Sequence, residues 1–209
     1  CVDCSFSMRQ QHRLERVLEG LEDFCADMAA DPIACQSVEL CIVSFGGEQA
    51  VVERDFTPPD RMQLPKLTAS GETPLADGVM TALAALEERK RRYGDNGNTY
   101  FRPWLILIGA GDESRSSASL DQAAEVLRSE SEAKHLSVLC VTVGDADRME
   151  YSSLMKLAPD GKVQYLRDLK FREFFSWLSR SIQKTSQSMS GEEVHFDPTT
   201  TWGEILERT

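Results

Sequence analysis

The chain has 209 residues, 41 % of them hydrophobic and 27 % charged, and a formal net charge of −11. That is enough for one sizeable domain of ordinary globular composition, or one domain with an appendage. The acidic balance argues against nucleic-acid backbones and anionic membranes as partners, and no apolar run approaches the roughly 18–20 residues that cross a bilayer as a helix.

In chain order, residues 9–30 place Leu14, Val17, Leu18, Leu21, Cys25 and Met28 at the one-face spacing of an amphipathic helix. VELCIVSFG (38–46) reads as a buried strand, and QAVVERDFT (49–57) returns from it after Gly46-Gly47 as an antiparallel edge strand. Pro58-Pro59 ends that hairpin. A loop then runs to ASGETP (69–74), followed by a helix from Leu75 to about Arg92 with Val79, Leu83 and Leu86 inward. RPWLILIGAG (102–111) reads as the most buried strand, residues 117–134 as a helix, LSVLCVTVG (136–144) as a strand and residues 148–157 as a short helix. KVQYL (162–166) is a weak strand, and FREFFSWLSRSI (171–182) is a helix burying its aromatic side chains.

Strands alternating with helices imply a three-layer α/β fold: a mostly parallel central sheet with one antiparallel edge strand and helices on both faces. Ligands of such folds gather beyond the carboxyl ends of the strands. Only Cys1 and Val2 precede Asp3, which is short for a central strand. Residues 188–209 are polar and acidic, and read as a tail outside the domain of residues 1–187. A short helix is expected at 202–207, with Thr201 as its N-cap.

Six cysteines are present, and reduced thiols in a cytoplasmic setting are expected. Cys41 and Cys140 lie inside apolar runs, where a thiol behaves as a small hydrophobe. Cys1 and Cys4 form a C-x-x-C, but no second Cys or His pair follows to complete a zinc site.

Asp3-x-Ser5-x-Ser7 sets a carboxylate and two hydroxyls at a strand-to-helix turn, and ASGETP adds Thr73 just before another helix. Hard oxygen ligands of this kind suit Mg²⁺, which takes octahedral oxygens and keeps several waters. Ser and Thr before helices are equally what N-caps require, so capping and metal binding both stand on spacing alone.

VDCSFSM, LTASGETPL and RPWLILIGAGD together resemble the D-x-S-x-S-M, T-x-S-G-G-T-P-L and R-P-W-hydrophobic-T-D-G stretches of von Willebrand factor A domains. The resemblance is closer to the bacterial TerY-type members associated with tellurium-resistance and stress systems, and TVGDAD and LKFREFFSWLSRSI are similar to that family's later strand turn and last helix. It implies a metal-ion-dependent adhesion site, with Asp3, Ser5, Ser7 and Thr73 as retained ligands of Mg²⁺ or another divalent cation. It also implies a protein partner bound through an acidic side chain, with kinase- or phosphatase-like partners suggested by the family.

The Asp of T-D-G falls on Ala110 and its preceding Thr on Gly109, so the metal site is expected to be weakened. Losing such a supporting group typically costs about 10–100-fold in metal affinity. Phe6 and Glu72 replace family glycines, and Asp112 lies just past the strand end; these three are the candidate partner-binding residues.

Catalytic signatures are weak. Cys4-S-F-S-M-Arg9 has four residues between Cys and Arg, where cysteine phosphatases need five; no D-x-D and no G-x-S-x-G occurs. His12, His135 and His195 fall on a surface helix, a strand start and the tail. Asp145 and Asp147 lack EF-hand spacing, and the basic run ERKRRYG (88–94) suits a helix C-terminus. The expected function is therefore a non-catalytic protein-interaction module in a bacterial stress-response or defence system. A divergent Mg²⁺-dependent hydrolase or phosphatase using the same face is the alternative.

Overall fold

A computed structural model describes residues 1–110, 117–143, 152–186 and 202–207. The strands are β1 (Val2–Asp3), β2 (Leu40–Gly46), β3 (Gln49–Thr57), β4 (Trp104–Gly109), β5 (Ser137–Thr142), β6 (Lys162–Leu166) and β7 (Gly203–Glu207). The helices are α1 (Arg13–Ala30), α2 (Pro32–Ser37), α3 (Leu75–Asp95), α4 (Ser117–Glu132), α5 (Ser152–Leu157) and α6 (Phe171–Ser186). One seven-stranded sheet runs in the order β3-β2-β1-β4-β5-β6-β7. The five inner strands are parallel, whereas β3 and β7 run antiparallel at the two edges.

Each face of the sheet carries its own apolar layer, as expected for strands buried on both sides. On one side Leu14, Val17, Phe24 and Met28 of α1 meet Phe171, Phe174 and Phe175 of α6. On the other, Leu75, Val79 and Leu83 of α3 and Leu120 and Leu127 of α4 cover Leu105, Leu107 and Cys140.

The structure corrects the expected tail helix. Residues 203–207 are a strand paired in register with β6, from Lys162 opposite Glu207 to Leu166 opposite Gly203. An isolated helix of five or six residues is marginal in water. The strand instead satisfies the free edge of β6 and sets Arg167 2.6 Å from Glu204 and Lys162 3.1 Å from Glu207. Trp202 is fully buried, its ring 5.1 Å from that of Phe174 and 5.2 Å from that of Trp177. The end of the presumed appendage thus completes the domain's sheet, giving two antiparallel edges where one was expected. Trp202→Ala is expected to cost about 3–5 kcal/mol, read as a lower urea midpoint for the whole chain.

Two local features also differ from expectation. Residues 6–12 wind as 3₁₀ turns with Gln11 and His12 at φ 52° and 56°, so α1 begins only at Arg13. Asp31 caps α2, its Oδ1 accepting the N–H groups of Ile33 at 2.9 Å and Ala34 at 3.1 Å.

β1 spans 2 residues, while its neighbours β2 and β4 span 7 and 6. Alongside their leading halves lies a cavity of about 780 Å³, lined among others by Leu40, Cys41, Trp104, Phe24, Leu86 and Leu178.

Candidate functional site

Parallel β1 and β4 deliver Asp3 and the Gly109–Ala110 turn to the same rim of the sheet. Backbone hydrogen bonds tie three further segments there. The Cys4 N–H donates to the Phe45 carbonyl at 2.7 Å, and the Ser70 N–H to the Cys4 carbonyl at 2.7 Å. The Phe6 N–H donates to the Gly71 carbonyl, and the Gly47 N–H to the Glu72 carbonyl, each at 3.1 Å. Gly71 sits at φ +66°, and a Cβ there would stand 2.4 Å from the Gly47 Cα, so only glycine allows the loop to close this tightly. The opening turn and the loop before α3 therefore converge at one rim.

Asp3 is fully buried. Its Oδ1 accepts the Ser5 N–H at 2.7 Å and its Oδ2 the Ala110 N–H at 3.1 Å. Burial pushes its carboxyl above the usual range, opposed by hydrogen bonds from the Ser5 hydroxyl and from those two N–H groups and by the charge of Arg13. The Ser5 and Ser7 hydroxyl oxygens lie 2.8 Å apart. Thr73 is buried two residues beyond Gly71, its carbonyl accepting the Leu75 N–H at 2.9 Å. Phe6 projects from the rim, 57 % exposed, with the Arg9 guanidinium 4.8 Å from its ring centroid and the Arg9 Nε–H donating to the Ala69 carbonyl at 2.7 Å. Glu72 is exposed. Asp112 lies outside the described residues, as do Asp145, Asp147 and His195.

One residue that sequence reasoning passed over stands under this rim. Arg13 is only 4 % exposed; its Nη1 donates to the Ser7 carbonyl at 3.1 Å, and its Nε is buried with no hydrogen-bond partner among the described residues. A signal was available. A cation in the first turn of a helix opposes the dipole, so an arginine opening α1 needed a reason outside the helix.

The donor set can be compared with what a divalent cation takes. The hydroxyl spacing suits it, since neighbouring ligands around Mg²⁺ at 2.0–2.1 Å lie about 3 Å apart. Charge is sparser: both oxygens of Asp3 accept backbone N–H groups, a buried alanine holds position 110, and Asp3 is the only buried carboxylate among the described residues. Among the described residues no group of three or more His, Cys, Asp or Glu is placed to hold a metal. On charge, the described residues by themselves do not fit a divalent ion.

The other chemistry considered for this turn is also unfavourable here. Burial and the Asp3 charge push the Cys4 thiol up to about 12, which leaves almost no thiolate at neutral pH. All six cysteines are free. The basic run on α3 is paired: Arg89 and Tyr93 both bond Glu39, and Arg91 and Arg92 bond Glu88.

Residues 1–100, just under half of the chain, match the family model described as von Willebrand factor type A domain. No curated protein matches this chain. Among solved structures, the crystal structure of the SpRpn10 VWA domain is similar, with a TM-score of 0.54 at 14 % sequence identity over 77 % of this chain and 78 % of that one. The fold is thus of the von Willebrand A type: a mixed, mostly parallel sheet between two helical layers.

Proposed function

We propose that this chain is a non-catalytic protein-interaction module that docks a partner on the Asp3/Ser5/Ser7/Thr73 rim. The observation that carries the reading is Phe6, a large apolar ring 57 % exposed at the crest of a rim where Asp3, Ser5 and Thr73 are buried. An isolated exposed apolar side chain means little. This one is held over a rigid turn by its own backbone N–H bond to Gly71 and stacked under Arg9, the aromatic-and-arginine pairing that interface centres favour. Arg9 and Phe6 suit a partner segment that presents a carboxylate beside an apolar side chain.

The match of residues 1–100 to the von Willebrand A family supports the interaction role. The TerY-type resemblance of the opening turn supports a cytoplasmic, bacterial stress-response or defence setting with kinase- or phosphatase-like partners.

The test is photo-crosslinking in cells with a benzophenone amino acid at position 6, compared with position 33 on α2, where Ile33 is also exposed. A discrete protein adduct from position 6 alone is the expected result. Equal adducts from both positions, or none from position 6, would remove the docking reading. Hydrolysis of a generic phosphate ester by the purified chain, abolished in Asp3→Ala, would replace it with an enzyme; no turnover above the variant's background is expected.

A further inference from the structure

We infer that the β6 edge and the aromatic pocket on α6 form a groove for an extended segment of another protein, and that β7 is its displaceable resident. The groove has defined parts. Residues 203–207 pair antiparallel with residues 162–166 along the edge that β5 leaves open. Just ahead of that ladder, Trp202 packs against Phe174 and Trp177, with ring centroids 5.1 Å and 5.2 Å away. Arg167 meets Glu204, and Lys162 meets Glu207, across the edge. In strand addition of this kind the backbone ladder supplies affinity and the side-chain sites supply choice.

β7 fits this groove incompletely. Of residues 202–207 only Trp202 and Gly203 are buried, and both ion pairs join roughly half-exposed side chains, where such pairs add little. Gln164 stands opposite Ile205 in the ladder. Gln164 is buried and its Oε1 has no hydrogen-bond partner among the described residues, while Ile205 is 45 % exposed and apolar. The Trp202 Nε1–H is also buried without a partner among the described residues. Buried polar atoms left unpaired weaken an association. A strand with Thr or Ser in the place of Ile205 would set a hydroxyl beside Gln164, because directly opposed Cβ atoms lie about 4.5–5.5 Å apart.

The occupant this groove prefers is a segment with a tryptophan, carboxylates two and five residues after it, and a hydroxyl side chain three residues after it. A second copy of this chain offers only the resident sequence. The resident strand, tethered through residues 187–201, is present at an effective concentration on the order of millimolar. An identical strand from another copy is therefore outcompeted at ordinary concentrations, and a better-matched segment is not. Between β1 and β7 stand β4, β5 and β6, so this groove is separate from the rim and its partner need not be the rim's.

The test is fluorescence anisotropy with labelled synthetic peptides and the full chain. The reference peptide carries residues 201–209; three others carry Ile205→Thr, Ile205→Val or Trp202→Ala. The chain is used as wild type and with Glu204→Lys and Glu207→Lys together, exposed changes that set like charge against Arg167 and Lys162 and loosen the resident strand. The charge-reversed chain should bind the reference peptide about fivefold or more tighter than wild type does. On that chain the Ile205→Thr peptide should bind about threefold or more tighter than the isosteric Ile205→Val peptide. The Trp202→Ala peptide should bind about tenfold or more weaker than the reference. If circular dichroism shows the charge-reversed chain unfolded, Trp202→Ala in the chain vacates the groove instead. Equal binding by wild type and the opened chain, equal binding of the Thr and Val peptides, undiminished binding of the Trp202→Ala peptide, or no binding of the reference peptide to the opened chain at millimolar concentration would each overturn the inference.

Discussion

Ala110→Asp is expected to destabilise the metal-free chain by about 3 kcal/mol at neutral pH, the scale of an uncompensated charge forced into a buried site. Ala110 is wholly buried, and its N–H already donates to Asp3, so a second carboxylate arrives beside the first in a buried site. The pH dependence has a definite sign. A carboxyl held up by burial and like charge takes its proton in the folded state before the unfolded state does. The folded state then binds more protons through that window, so the deficit is largest at neutral pH and shrinks as pH falls. The same sign applies to Asp3 in the wild type, whose folded carboxyl is also raised. Urea midpoints between about pH 7 and pH 4 check this; a deficit that grows on acidification would contradict the assigned environment.

The second large effect concerns Gly71. It sits at φ +66°, and a Cβ there would stand 2.4 Å from the Gly47 Cα and 3.1 Å from the Gly47 N. Gly71→Ala therefore combines left-handed backbone strain of about 1–3 kcal/mol with a clash against backbone that cannot swing away. A loss of more than about 2 kcal/mol is expected, read as a lower urea midpoint, whereas Gly97→Ala, at φ +69° with open space around it, should cost only the strain. Equal midpoints for the two variants would mean that the loop does not close against Gly47 as tightly as observed.

Most of the sheet was legible because its strands announce themselves twice: by apolar runs such as LCIVSF and by Gly and Pro at their ends. β3 and β6 fall where the sequence placed them, at 49–57 and 162–166. β7 was not legible. GEILE carries too few apolar residues to show a two-residue period, and its identity is set by the free edge of β6 and by a pocket for Trp202, both products of the folded chain. The left-handed Gln11 and His12 that delay α1 were hidden for a similar reason, since the local pattern there is helical and the fold overrides it. By contrast Asp31-Pro32 is a readable helix start that the longer periodic signal of α1 eclipsed.

For the site, spacing showed which oxygens would meet and the structure brings Asp3, Ser5 and Ser7 into hydrogen-bond contact, with the Thr73 loop laced alongside. What spacing does not carry is the buried arginine bonded to the Ser7 carbonyl. Arg13 lies ten residues past Asp3 and reaches the turn only because the 3₁₀ segment folds the chain back beneath it.

The account stands most directly on whether the rim docks its partner without a metal. Crosslinking from position 6, run in lysate with excess EDTA and again with millimolar Mg²⁺, measures this. The account predicts the same adduct in equal yield under both conditions. An adduct that appears only with Mg²⁺ would contradict it.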